Sequence, residues 1–370
     1  MLPISEAFLY YIIKMKHIYF HIGMPKTGTT AIQHFLLNNK IKLEELGVGF
    51  YVPKIGNTRQ KAANAYYLFE HFLIKINSFY YKTHGELYEK YCQDLKEFAK
   101  KHDRLILSEE QFWKVGLSHK DIWQYAYDEI REIFEEECVI HPVVYLRRQD
   151  EWILSMWKET MQSFPYDTWT IDELLEEERT LDFCNYNEKL KAIEEVFGLD
   201  KIIVRSYNRK QFKNDSIFND FLDAIGVEWM DKFKVYEQNI HASVTLDAAE
   251  AMNLINRGEV VYDKPDNRLR VNLRTASFLF SAMYPEKTKQ YFMEPDERKA
   301  FLDKHIKNNQ AIADRYNDGK PLFDYTIKPY EVWKLDYDQA VKNAEYIIKL
   351  STLGVDRMKA MLKYINNNLK

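Results

Sequence analysis

His21-Ile22-Gly23-Met24-Pro25-Lys26-Thr27-Gly28-Thr29-Thr30 is the stretch that decides the fold. The apolar residues 18–20 precede it, and Ile32, Phe35 and Leu36 follow it on one face at helical spacing. This order predicts a strand, a tight loop and a helix. Glycines let the backbone turn tightly, and the N–H groups of a helix N-terminus, together with a lysine and hydroxyls, are typical of an anion site.

The position of the lysine separates this loop from a nucleoside-triphosphate loop. Residues 23–28 fit the first six positions of G-x-x-x-x-G-K-[ST], but position 29 is threonine and the lysine stands at position 26. A kinase or ATPase loop places its lysine on the β- and γ-phosphates and a hydroxyl on Mg²⁺. The displaced lysine therefore favours a shorter anionic group and weakens the case for a metal. There are two alternatives: a kinase or ATPase with a degenerate loop, and a βα turn that binds nothing.

Composition narrows the class of protein. The chain has 370 residues, 46% of them hydrophobic, and a formal net charge of −4, which supports a substantial core and gives no basic excess for general nucleic-acid binding. Three separated cysteines favour a reducing compartment.

The apolar residues 2–13 are too few to span a bilayer and lack a basic leader, so we expect a cytoplasmic protein without an integral membrane segment. Because Met15 precedes the first predicted strand, residues 1–14 are expected to be a mis-started or flexible extension.

Alternation of strands and helices predicts the fold class. Apolar strands are predicted at residues 18–20, before Pro53, and at residues 104–108, 139–146 and 201–207, with helical segments between them. This pattern indicates an α/β fold with a P-loop-like parallel sheet of about five strands, flanked by helices and carrying helical additions. Ligands then bind beyond the carboxyl ends of the strands. Pro142 predicts that the first half of its strand is an edge or an entry segment.

The chain is expected to divide near residue 325. Residues 15–325 are interpreted as the α/β domain and residues 326–370 as a helical C-terminal extension, in which Ala340, Ala344 and Ile347 share one face. We expect this extension to pack on the domain or on a second copy of the chain.

Two further motifs follow predicted strands. Arg147 stands at a strand end, and Ser155 follows eight residues later in the next helix. A guanidinium fork and a hydroxyl at this spacing can converge on one phosphate. The alternative is that Arg147 and Arg148 form a surface pair before a helix.

Ser108-Glu109-Glu110 follows the third strand, where a carboxylate near the loop could take a proton from a substrate hydroxyl. Ser108 and Gln111 also have the spacing of a capping box at a helix start. Both interpretations can hold at once.

Together these motifs resemble sulfotransferases that use 3′-phosphoadenosine 5′-phosphosulfate (PAPS). The arrangement G-x-P-K-x-G-T-T resembles their 5′-phosphosulfate loop, the spacing from Arg147 to Ser155 resembles their 3′-phosphate site, and S-x-E resembles the carbohydrate branch, whose base is a glutamate. The resemblance covers about residues 17–230. It implies a donor site formed by these residues: Pro25, Lys26, Thr27, Gly28, Thr29, Thr30, Arg147, Ser155 and Tyr207.

The resemblance also implies a reaction, the in-line transfer of a sulfuryl group from PAPS to a hydroxyl of a carbohydrate or glycoconjugate without a metal. Lys26 would stabilise the leaving oxygen and Glu110 would be the base, with Glu109 as the fallback. Tyr207 would stack on the adenine or else pack against the sheet edge. A non-catalytic nucleotide-binding member of the fold is a further alternative.

Overall fold

The structure is a computed structural model of the chain. It describes residues 15–55, 59–60, 62–76, 81–116, 119–135, 138–163, 168–176, 182–235, 243–261 and 267–368. The predicted extension at residues 1–14 lies outside this set.

Five parallel strands form the main sheet. The strands among the described residues are β1 (Lys16–His21), β2 (Val48–Gly49), β3 (Lys54–Ile55), β4 (Arg59–Gln60), β5 (Arg104–Ser108), β6 (Cys138–Leu146), β7 (Ile203–Ser206), β8 (Gln290–Tyr291) and β9 (Glu331–Val332). The main sheet has the order β2-β5-β1-β6-β7, and β3 with β4 and β8 with β9 form two small separate pairs. This arrangement confirms the predicted α/β class with a five-stranded parallel sheet.

Helices occupy most of the rest of the described part of the chain. They are α1 (Thr29–Glu45), α2 (Tyr66–Ile76), α3 (Tyr81–Ala99), α4 (Gln111–Val115), α5 (Asp121–Ile133), α6 (Gln149–Ser163), α7 (Ile171–Glu176), α8 (Tyr186–Phe197), α9 (Ile217–Ala224), α10 (Leu246–Asn256), α11 (Asn267–Met283), α12 (Pro295–Tyr316), α13 (Tyr337–Ser351) and α14 (Val355–Asn368). The segment predicted as one helical tail is thus two helices, which Gly354, with a positive φ of 79°, separates.

Helices cover both faces of the sheet. On one face, Ile32, Phe35 and Leu36 of α1 are buried in a cluster with Tyr145 of β6 and with α9, which confirms the predicted apolar face of α1. Burial of each such side chain contributes about 1.5–3 kcal/mol. On the opposite face, the ring of Phe20 in β1 meets Phe112 of α4 edge to face. The core therefore lies on both sides of β1 and orients the loop that follows it.

Pro142 lies in a strand that is paired unequally along its length. Residues 138–143 pair with β1, whereas β7 pairs only with residues 143–146. The first half of β6 is therefore an edge on the β7 side, where a residue without an N–H group interrupts no ladder. Of the two alternatives that Pro142 predicts, this arrangement corresponds to the edge.

The described residues fall into two compact units. The first comprises those within Met1–Arg148, Asn185–Gln238 and Asn308–Phe323, and the second those within Gln149–Cys184, Asn239–Lys307 and Asp324–Lys370. The main sheet belongs to the first unit. In the second unit, α13 packs against α10 and α11, and α14 packs against α11.

A buried ion pair lies within the second unit. Nε and Nη2 of Arg298 each lie 2.6 Å from Oδ2 of Asp150, and these side chains are 2% and 0% exposed. The guanidinium also lies 3.9 Å from the centroid of the Tyr291 ring, and the Tyr291 hydroxyl donates to the carbonyl of Asp150 at 2.7 Å. These contacts fix the first turn of α6 within its unit.

Among the helices that the structure describes, none is both long enough and apolar enough to cross a membrane.

We expect Arg298→Met to lower the free energy of unfolding by about 3–5 kcal/mol, because it withdraws the cation that neutralises a fully buried carboxylate. Urea denaturation followed by circular dichroism measures the change. Lys299→Met is the matched control, since the neighbouring Lys299 is exposed and its ion pair with Asp303 on the same helix is also exposed. Equal shifts of the urea midpoint in the two variants would contradict the expectation.

Candidate functional site

Residues 22–28 form the loop between β1 and α1, and its backbone turns sharply. Gly23, Lys26 and Gly28 have positive φ angles of 37°, 68° and 77°. Glycine adopts this region at no steric cost, whereas a lysine does so only where the surrounding structure holds it. The conformation of residue 26 is therefore a specific property of this loop.

Neighbouring side chains leave no room for larger residues at the two glycines. A Cβ at Gly23 would lie 2.5 Å from Cγ2 of Thr29, and a Cβ at Gly28 would lie 3.1 Å from the ring of Tyr207 and 3.2 Å from Ile217. Close contact and positive φ together account for glycine at both positions. The second contact also places Tyr207, at the end of β7, against the loop.

The threonines of the loop differ in their exposure. Thr27 is fully buried, and its hydroxyl donates to the carbonyl of Met24 at 2.5 Å. This bond closes the loop and uses the hydroxyl proton, so Thr27 can donate to a ligand only through its backbone N–H. Pro25, Lys26 and Thr30 are partly exposed.

The N-terminus of α1 carries no compensating negative charge of its own. Gly28 is its N-cap residue and makes no side-chain capping bond, and the first turn contains no acidic residue. The first N–H groups of a helix lack carbonyl partners within it, and they carry a partial positive charge. An anion at this end would therefore be stabilised.

Glu110 reaches the start of α1 from the neighbouring strand. Its Oε2 accepts a hydrogen bond from the Thr29 hydroxyl, and the side chain is partly exposed. The pairing of β5 with β1 produces this contact, because it places His21 and Ser108 side by side at the strand ends. The structure thus brings the predicted base to the predicted phosphosulfate loop.

Glu109 is oriented differently. It is only 4% exposed, and its Oε1 accepts from the backbone N–H of Gln111 at 3.1 Å. Its own N–H donates to the carbonyl of His21 at 3.1 Å. Glu109 therefore supports the start of α4 and the end of the sheet, while Glu110 faces the loop.

Arg147 reaches the same loop from the end of β6. Its Nη1 donates to the carbonyl of Lys26 at 3.2 Å, and its guanidinium lies 5.5 Å from the centroid of the Tyr207 ring. The buried Tyr186 of α8 donates its hydroxyl proton to the Arg147 carbonyl at 2.8 Å. The ends of β1, β5, β6 and β7 thus each contribute a side chain or a backbone segment near one loop.

Of the other residues of the second motif, Arg148 directly precedes α6 and Ser155 lies in its second turn. Arg148 is partly exposed at the end of the first unit, and Ser155 is partly exposed on α6 in the second unit. The role predicted for Ser155 stays a prediction.

A buried polar network lies beneath the loop. Nδ1 of His21 is 2.9 Å from Oγ of Ser108, the Gln33 amide donates to the same Oγ at 3.1 Å, and the Ser108 N–H donates to Oδ1 of Asn64 at 2.7 Å. Burial lowers the pKa of His21 to about 3, so the imidazole is neutral near pH 7. The Ser108 hydroxyl is thus engaged by His21 and Gln33, and the predicted capping box with Gln111 does not form; α4 has Glu110 as its N-cap residue instead.

The sequence gives no sign that Tyr186, Gln33 or Asn64 supports the site. Each is a polar side chain within or beside a helical segment, and no motif marks it. Tyr186 lies 39 residues from Arg147 along the chain, and Asn64 lies 44 from Ser108. Only the packed structure shows these contacts.

In the described part of the chain, no group of three or more His, Cys, Asp and Glu side chains is placed to hold a metal ion.

Comparisons with known proteins show limited similarity in sequence and structure. No family model matches the chain. The crystal structure of a sulfotransferase from Alicyclobacillus acidocaldarius has a TM-score of 0.42 and 14% identity, over 80% of this chain and 95% of that one. An uncharacterized protein of Archaeoglobus fulgidus is 28% identical over 199 residues, which are 52% of this chain and 50% of that protein. The chain therefore spans about half the length of that curated relative.

Proposed function

We propose that the protein transfers a sulfuryl group from PAPS to a hydroxyl of a carbohydrate or glycoconjugate. The observation that carries this proposal is the convergence of Lys26, Glu110 and Arg147 on one loop at the carboxyl ends of parallel strands. Ligands of open α/β sheets bind at such strand ends. The loop has the G-x-P-K-x-G-T-T pattern of PAPS-dependent sulfotransferases.

Charge and shape at the loop suit the 5′-phosphosulfate. The N-terminus of α1 lacks an acidic residue in its first turn, and Lys26 and Arg147 add two cations. The N–H groups of residues 27–30 and the ammonium of Lys26 are the proposed ligands, with Pro25 and Gly28 shaping the backbone. Arg147 is the proposed ligand of the 3′-phosphate, because a guanidinium presents a donor fork that matches phosphate oxygens.

The reaction is a direct displacement at sulfur. The acceptor oxygen forms a bond to sulfur, the bond between sulfur and the bridging phosphate oxygen breaks, and 3′,5′-diphosphoadenosine leaves. The proton of the acceptor hydroxyl passes to the carboxylate of Glu110. Negative charge grows on the leaving oxygen, so Lys26 contributes mainly to the stability of the transition state.

The contacts of the two carboxylates support Glu110 as the base. Glu110 is partly exposed and contacts Thr29, whereas Glu109 is 4% exposed and holds the N–H of Gln111. A base must reach a substrate hydroxyl. Glu109 then supports the site without touching the acceptor.

Binding of nucleotides tests the donor site. We expect 3′,5′-diphosphoadenosine to bind more tightly than AMP in calorimetry, because Arg147 adds a charge-assisted contact to the 3′-phosphate. Arg147→Gln should remove most of this preference and leave AMP binding nearly unchanged. Arg357→Gln, a change of an exposed arginine on α14, is the control and should keep the preference. Equal affinities of the wild-type protein for the two nucleotides would overturn the donor assignment.

Turnover tests the lysine. With ³⁵S-labelled PAPS and a panel of polysaccharides, glycolipids and small glycosides, label should enter a carbohydrate product. We expect Lys26→Ala to lower kcat by about 10²-fold or more, because the leaving oxygen loses its cation. A variant with normal kcat and a raised KM would instead show that Lys26 only binds the donor.

The same product assay distinguishes the roles of the two carboxylates. We expect Glu110→Gln to keep binding of 3′,5′-diphosphoadenosine and to lose sulfuryl transfer by about 10²-fold or more, since the acceptor proton has no base. Glu109→Gln is the matched control and should retain turnover. If Glu109→Gln is inactive while Glu110→Gln is active, the base is Glu109.

A further inference from the structure

The imidazole of His21 belongs to a network whose protons can be assigned. His21 and Ser108 are register partners on neighbouring parallel strands, so their side chains share the face of the sheet on which α1 packs. Gln33 approaches the Ser108 hydroxyl from α1 with its amide nitrogen, which can only donate. The hydroxyl oxygen therefore already accepts one hydrogen bond.

The proton of the Ser108 hydroxyl must also have an acceptor. Within the described residues its oxygen has two side-chain partners, the amide of Gln33 and Nδ1 of His21. Since the amide cannot accept, the hydroxyl donates to Nδ1. Burial holds His21 neutral, because it lowers the pKa of the imidazole to about 3. A neutral imidazole that accepts at Nδ1 carries its proton on Nε2.

The resulting Nε2–H group is a buried donor that faces the loop. His21 is 1% exposed, and its Nε2 has no hydrogen-bond partner among the residues that the structure describes. The atom lies 3.3 Å from the point at which a Cβ of residue 23 would stand. A buried donor without an acceptor is rare and costs free energy. The position therefore calls for an acceptor that the described residues do not supply.

We propose that the Nε2–H group of His21 donates a hydrogen bond, directly or through one bound water, to the anionic group that the loop holds. His21 is then a binding residue of the 5′-phosphosulfate site, with Ser108 and Gln33 as the positioning residues that fix its tautomer. This inference rests on the proposed function, because it takes the loop to be the site of the donor's anion. The bond adds a neutral donor beneath a site whose other ligands are cations and backbone N–H groups.

Two substitutions test the contributions of the two ring nitrogens separately. In His21→Asn the side-chain amide can replace Nδ1 and keep the contact with Ser108, but nothing replaces Nε2. In His21→Gln the longer side chain can place an N–H donor near the position of Nε2. We expect His21→Asn to weaken binding of inorganic phosphate and of 3′,5′-diphosphoadenosine by about tenfold or more in calorimetry. His21→Gln should recover most of that loss.

The outcomes distinguish this inference from the function on which it rests. Wild-type affinity in His21→Asn, or a loss in His21→Gln alone, would overturn the role of Nε2 and leave the donor assignment standing. Failure of the wild-type protein to prefer 3′,5′-diphosphoadenosine over AMP would overturn the donor assignment, while inorganic phosphate still reports on His21.

A measurement on the wild-type protein avoids dependence on the folding of the variants. In protein labelled with ¹⁵N-histidine, the His21 signals can be assigned through their contacts with the rings of Tyr145 and Phe221, which lie 6.5 and 5.3 Å away between centroids. We expect a proton on Nε2 and a downfield shift of that proton when inorganic phosphate is added. A proton on Nδ1, or a signal that phosphate leaves unchanged, would refute the inference.

Discussion

The parallel pairing of β1 with β5 is the constraint on which the candidate site depends. It sets His21 beside Ser108 and lets the N–H of Glu109 donate to the His21 carbonyl at 3.1 Å. The loop and the two carboxylates therefore start at the same level of the sheet. A slip of one residue would turn Ser108 to the opposite face and separate it from His21. One register thus controls both the buried network and the contact between Glu110 and Thr29.

Periodicity in the sequence predicted the elements that position this site. The apolar spacing of Ile32, Phe35 and Leu36 predicted α1, and the apolar runs predicted the five parallel strands, because burial of one helix face or of a whole strand leaves a regular pattern. The rule that ligands bind at strand ends then predicted that Glu110 and Arg147 would lie near the loop. Their contacts with Thr29 and with the Lys26 carbonyl show this proximity. Their roles in catalysis and binding stay predictions.

Contacts made by polar side chains across long stretches of chain could not be predicted in the same way. Tyr186 supports Arg147 and Asn64 supports Ser108 through single hydrogen bonds, which leave no periodic trace in the sequence. Local rules also failed where tertiary contacts competed with them. Ser108 has the spacing of a capping residue, but its hydroxyl lies on the packed face of the sheet, where His21 and Gln33 engage it. The two-residue strands β3 and β4 are similarly too short to show alternation.

The hydrogen bond from Gln33 to Ser108 also limits how α1 can move. Close packing of apolar side chains resists sliding of a helix over a sheet, but dispersion contacts have little directional preference. A buried hydrogen bond is directional, and a translation of α1 by one residue, about 1.5 Å, would break it. Together with the two hydrogen bonds between Asn39 and the backbone of Lys234, this bond fixes the axial position of α1 and, with it, the direction in which its first N–H groups point. The position of these N–H groups matters for group-transfer chemistry, because a misplacement of about 1 Å can lower the rate by about 10²-fold.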